Sequence, residues 1–115
     1  MAMLTTAPSP VGRARVSDRP EGIATLTLAE PRPNPMRGHA AFSYSAPAGV
    51  PVRLEVFDVS GRHIVRLAEE MGSGATRSLA WDGRDTRGSA VASGIYFVRL
   101  TAGQDAMTRK LLVQR

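Results

Sequence analysis

The chain of 115 residues has no cysteine, one tryptophan and no proline beyond Pro51. Without cysteine there can be no disulfide framework, no thiolate nucleophile and no cysteine-ligated zinc or iron–sulfur site. Aromatic residues are 5% of the chain, six side chains in all. That leaves few for the planar row of exposed rings a carbohydrate-binding sandwich needs. No apolar run approaches the roughly 18 residues that span a bilayer as a helix. The length supports one hydrophobic core but not two. Charge of one sign prevails: the net charge is +5, and fourteen of the fifteen basic residues are arginine, Lys110 being the only lysine. An arginine bias of this kind reports a GC-rich genome more readily than a ligand. With 43% hydrophobic and 22% charged residues, the composition is that of a globular domain and excludes wholesale disorder.

Residues that could carry chemistry are sparse. His39 and His63 are the only histidines, and neither has a nucleophile or carboxylate that sequence can place beside it. No nucleophile elbow, Walker loop, dinucleotide fingerprint or His-Glu-x-x-His is present. Asp82 and Asp85 in Trp81-Asp82-Gly83-Arg84-Asp85-Thr86-Arg87-Gly88 invite a calcium reading. The spacing is not that of an EF-hand, and Arg84 and Arg87 put positive charge where the ion would sit. Asx turns closed by glycines are the simpler account of this loop. Nucleic acid is not an expected partner, because the arginines are scattered from Arg13 to Arg115 and alternate with acids. No catalytic residue, cofactor or metal site is expected, and the chain does not read as an enzyme.

Proline and periodicity divide the chain. Residues 1–22 show no sustained apolar period and read as a flexible leader or linker, without the hydrophobic region of a signal peptide. Residues 23–115 read as one domain. Residues 29–38 are too proline-dense for a helix or a central strand and read as an extended lead-in laid against it. From residue 40 the apolar period is two. Ala40, Phe42 and Tyr44 form one set; Val52, Leu54 and Val56 another. Val65 and Leu67, Leu79 and Trp81, then Tyr96, Val98 and Leu100, and finally Leu111 and Val113 continue it. Leu26 and Leu28 fit an earlier strand. About seven short antiparallel strands with Gly, Ser and Asp turns predict an all-β sandwich. Asp58-Val59-Ser60-Gly61 suits a three-residue hairpin with a bulge, and Ala102 to Asp105 is expected to turn likewise. No internal repeat is evident.

Taken in order, several short pieces carry a resemblance. They are Pro33-Asn34-Pro35, Phe42-Ser43-Tyr44-Ser45, Val52 to Arg62 with Gly61, Trp81-Asp82-Gly83-Arg84-Asp85 with Gly88, Ser93-Gly94-Ile95-Tyr96 to Leu100, and Lys110-Leu111-Leu112-Val113. The series resembles the immunoglobulin-like module named from the flagellar hook-capping protein (FlgD-like), and the related type A C-terminal sorting domain of the type IX secretion system. The resemblance covers about residues 24 to 115. It implies an immunoglobulin-like β-sandwich without enzymatic activity, carried at the end of longer exported proteins and read as an address by the outer-membrane export machinery of Gram-negative bacteria. The location implied is the extracellular space or outer-membrane surface, and the partner is protein: secretion machinery or, for a hook-cap-like module, a polymerising assembly. The resemblance points to Lys110–Val113 as the sorting strand, which an open edge would let a receptor extend by β-augmentation.

The residues make physical sense on their own. Asn34 is expected to fold onto its own backbone and set a turn. Trp81 is expected to cap one end of the core. Gly94 suggests a bulge or a close backbone approach. Phe57 and Phe97, on the opposite parity from the core, are candidates for an exposed apolar patch.

Overall fold

Side chains that alternate between oil and water fit only a pleated strand with one face covered. The computed structural model describes residues 26–115; the expected leader over residues 1–22 lies outside them. Among the described residues there is no helix. The strands are β1 (Thr27–Leu28), β2 (Arg32–Arg37), β3 (His39–Ser45), β4 (Pro51–Asp58), β5 (His63–Met71), β6 (Arg77–Trp81), β7 (Gly94–Ala102) and β8 (Asp105–Val113).

They form two layers. In one, β3 pairs with β1, with both ends of β2 and with β6. In the other the order is β2, β8, β7, β4, β5. Every pairing is antiparallel except β2 with β8. The fold is the expected sandwich, with eight strand segments where about seven were read. The addition is β2, the proline-rich lead-in. Arg32 pairs with Ala41 on β3, and four residues later Met36 lies parallel to Val113 on β8. Arg37 then pairs with His39 on β3, so the segment touches both sheets and ties them together.

The core lies between the layers as the parity predicts. Val52, Leu54 and Val56 of β4, Val98 and Leu100 of β7, and Leu111 and Val113 of β8 meet Ala40, Phe42, Tyr44 and Trp81 of the opposite sheet, all buried. Burial of each such Val or Leu stabilises the fold by about 1.5–3 kcal/mol.

β5 departs from simple alternation. Ile64, not assigned to the core by period two, is buried, while Val65 and Leu67 are only partly so. The cause is two register shifts against β4: Val56 pairs with Val65 while Phe57 pairs with His63, and Leu54 pairs with Ala68 while Glu55 pairs with Arg66. Each bulge inserts one residue, Ile64 and Leu67, and re-aims its neighbours inward. The Asp58 hairpin forms as expected. Gly61 N–H donates to the Asp58 carbonyl at 3.0 Å, and Gly61 has φ +87°. The last hairpin is tighter than expected. Ala102 pairs with Asp105, leaving Gly103 and Gln104 as a two-residue loop, with φ +60° at Gly103.

Candidate functional site

The strand registers bring most of the singled-out residues to one end of the sandwich. There β3 begins, β4 ends at Asp58, β6 ends at Trp81, β7 begins at Gly94 and β8 ends at Val113. Val113 lies opposite Gly94, and Asp58 opposite Tyr96. The Asp58 hairpin, the loop 82–93 and the last two residues therefore share this pole.

Two turns at the pole are the same turn. In Asp58-Val59-Ser60-Gly61-Arg62, Asp58 Oδ1 accepts from the backbone N–H of Ser60 (2.9 Å) and Arg62 (3.0 Å), and Asp58 N–H donates to the Arg62 carbonyl. In Asp85-Thr86-Arg87-Gly88-Ser89, Asp85 Oδ1 accepts from Arg87 N–H (2.9 Å) and Ser89 N–H (3.0 Å), and Asp85 N–H donates to the Ser89 carbonyl. The glycines match, Gly61 at φ +87° and Gly88 at φ +84°. No repeat was read from the sequence, because only Asp and Gly recur, three apart. The turns are neighbours: Thr86 donates through both its N–H and its hydroxyl to the Ile64 carbonyl. A polar cleft between them is lined by Arg62, His63, Asp85 and Arg87. Bonds from the Ser60 hydroxyl first, and the Arg62 N–H next, hold the Asp58 carboxyl below the usual carboxylate range.

The aspartates are thus occupied by backbone. Asp82 Oδ1 accepts from Arg84 N–H at 3.2 Å, the Asx turn expected. Among the described residues no three His, Asp or Glu side chains converge to hold a metal ion. His63 lies edge-on to Phe57, ring centroids 5.4 Å apart, with Nε2 3.0 Å from Glu55 Oε2. His39 is exposed at the start of β3.

Trp81 seals the pole from inside. It is buried, its Nε1 donates to the Arg84 carbonyl at 2.9 Å, and it meets Tyr96 edge-to-face at 6.0 Å. The Tyr96 hydroxyl donates to the Ala92 carbonyl at 2.7 Å, the tyrosine corner that pins the start of this strand in immunoglobulin-like sandwiches. Gly83, at φ +77°, passes so close to Arg115 that a Cβ would sit 2.7 Å from its Nη2. Gly94 differs from expectation: its pairing is regular and a Cβ there would meet open space. Its backbone, φ +157°, sets the requirement rather than crowding.

The last strand, which holds Lys110–Val113, is built in, not free. Leu111 and Val113 are buried core residues, and only Lys110 and Leu112 project from the outer face. β8 pairs with β7 along its whole length and with β2 at its C-terminal part. The open edge expected there for strand addition is therefore taken. Asn34 does the closing. Instead of folding on its own backbone, its Nδ2 donates to the Lys110 carbonyl (3.0 Å) and its Oδ1 accepts from Leu112 N–H (3.0 Å). Its neighbours Pro33 and Pro35 have no N–H to offer β8, so the Asn34 amide supplies the missing donor. Both adjoining X-Pro bonds, Arg32–Pro33 and Asn34–Pro35, are cis. Sequence reasoning also missed Arg115. Its Nε donates to the Val91 carbonyl, its Nη2 to the Gly83 carbonyl (2.6 Å) and its N–H to Ser93 Oγ (2.9 Å). No sequence signal marks such a clamp, since any terminal arginine looks alike.

The family described as the secretion system C-terminal sorting domain matches residues 32–114. Among solved structures, dimeric latent PorU from Porphyromonas gingivalis is similar, with TM-score 0.65 and 29% identity over 86% of this chain and 10% of that one. PorZ of the same species, described as an essential surface component of the type-IX secretion system, shares the fold. Its TM-score is 0.53, with 22% identity over 83% of this chain and 13% of its own. The chain thus spans about a tenth of the length of these proteins. No curated protein matches it. By the match over residues 32–114, the chain belongs to the secretion system C-terminal sorting domains.

Proposed function

We propose that the chain is a non-catalytic address module, part of a longer exported protein, that takes its passenger through the type IX secretion system to the outer-membrane surface or extracellular space of a Gram-negative bacterium. The observation that carries this reading is the family match across residues 32–114. The likeness to PorU, at 29% identity, supports it. The export machinery reads the folded module rather than a loose tail. Supporting this, the backbone of Lys110 to Val113 is engaged by β7 and Asn34, so a receptor meets only the side chains of Lys110 and Leu112 and the surrounding surface.

The test is a fusion of residues 24–115 to a reporter bearing a signal peptide, in a host with the type IX machinery. Surface or extracellular reporter is the expected result, and reporter held in the periplasm rejects the reading. A Leu111→Asp fusion, which places a carboxylate in the core, should be retained if the folded form is what is read. Export of that unfolded variant would return recognition to the linear sequence.

A second reading, a structural assembly module of the hook-cap kind, draws on Phe57 and Phe97, which pair on the outer face and stay half-exposed. It predicts concentration-dependent oligomers by light scattering. A strict monomer counts against it.

A further inference from the structure

The outer faces of the two sheets differ in chemistry. Over the centre of the β3 sheet the outward side chains are small: Ala41, Ser43, Ser45, Ser78 and Ala80, with Ser43 and Ser78 hydroxyls 3.3 Å apart. Across the other sheet the registers set Lys110, Phe97, Phe57 and His63 in one row. The next row holds Arg99, Glu55 and Arg66, and the row beyond it Thr101, Arg53 and Glu69. The carboxylates on this face are already engaged. Glu55 lies 3.0 Å from His63 and 3.9 Å from Arg66, and Glu69 is 2.7 Å from Arg66. Arg53, Arg99 and Lys110 are exposed and make no ion pair among the described residues. Genome composition can raise the number of arginines, but it does not explain why three unpaired cations spread across one face while the other, Arg32 opposite Ala41 apart, carries hydroxyls and methyls.

Phe57 and Phe97 line a shallow hollow together with Arg99, Thr108 and Asp58, whose carboxylate is taken by Arg62 and by the Ser60 and Arg62 N–H groups. The rows repeat at about 6.8 Å along the strands, the spacing of alternate side chains in any extended chain. We propose that this face docks an extended acidic segment of a protein partner, one apolar side chain seated between Phe57 and Phe97 and flanking carboxylates on Arg53, Arg99 and Lys110. The proposal rests on the reading that the module is recognised folded. The hollow argues for protein over polysaccharide or lipid headgroups, which bring the charge without the apolar side chain.

The experiment uses the full chain and a fluorescein-labelled peptide of alternating glutamates with one central leucine, read by fluorescence polarisation. Controls are the same peptide with serine for leucine, a lysine version and dextran sulfate as competitor. The leucine peptide should bind best, and binding should weaken as salt rises from about 50 to about 300 mM. Arg53→Glu with Arg99→Glu, whose fold is checked by circular dichroism, should weaken it by roughly tenfold or more. Phe97→Ser should abolish the advantage of leucine over serine. Binding indifferent to charge reversal, no preference for leucine, or equal displacement by dextran sulfate overturns the proposal. Peptide binding is read apart from export. A periplasmic reporter on the unaltered module sinks the sorting function, whereas a peptide that fails to bind sinks the docking face alone.

Discussion

Asn34 and Arg115 hold the module together through backbone carbonyls far along the chain, and Tyr96 through one four residues upstream. Removing such a partner leaves a polar atom unmet, which costs about 1–3 kcal/mol when buried and less when water can reach it. Tyr96→Phe should therefore lower stability by about 1–2 kcal/mol in urea unfolding, by freeing the Ala92 carbonyl. Asn34→Asp is the sharper test of the bracket, since it keeps the acceptor for Leu112 and loses the donor for Lys110. Destabilisation close to that of Asn34→Ala is expected, and a neutral result would refute the bracket. Gly61→Ala places an L side chain at φ +87°, with a cost of about 1–2 kcal/mol, while Gly61→Asn should be milder because asparagine tolerates that region. Gly72 is a glycine that sequence gave no reason to single out. A Cβ there would drive into the Pro47 carbonyl oxygen, so Gly72→Ala should be among the most damaging small substitutions.

Tyr44 adds a pH dependence. Burial first, and then its hydrogen bond to Glu70, push its hydroxyl up to about 12 from 10.0. In the unfolded chain the proton leaves sooner. The contribution is thus intact below about pH 10 and is lost as pH rises toward about 12. Tyr44→Phe should flatten the alkaline limb of the stability curve, and an unchanged limb would reject the assignment.

At the scale of the strand, period two was legible wherever a strand has one covered face and regular pairing. Ala40 to Tyr44, Val52 to Val56 and Tyr96 to Leu100 are such cases. It failed at β5, because a bulge shifts parity without leaving a mark in the residue types, and Ile64 and Val65 both turn inward. It failed again at β2, where the prolines that argue against a central strand are those that leave room for a side-chain amide in the ladder. Of the candidate site, the glycine and aspartate turns could be read locally, because Asp-x-x-Gly encodes its own hydrogen bonds. Their meeting at one pole could not, since it depends on the register of every strand between. At this scale Arg115→Ala is the informative change. Amide exchange over residues 82–93 should quicken with little effect on β4 or β7, because the clamp holds that loop through Val91, Gly83 and Ser93.

For the molecule as a whole, Trp81 and Tyr96 close the end of the core on which the loops stand. Trp81→Ala should cost about 3–5 kcal/mol, a large share of what a domain of this size can lose. Surface changes on the arginine face should leave unfolding almost untouched while altering partner affinity. That separation distinguishes a recognition face from a structural one.

The twinned loops around Asp58 and Asp85 behave as interchangeable parts. Grafting Asp-Thr-Arg-Gly-Ser onto positions 58–62 keeps each backbone hydrogen bond of the loop, gives up the Ser60 hydroxyl's bond to Asp58, and exchanges the side chains shown to the outside. One staple used twice lets the rim of this domain be rewritten five residues at a time, a freedom open to both evolution and the engineer.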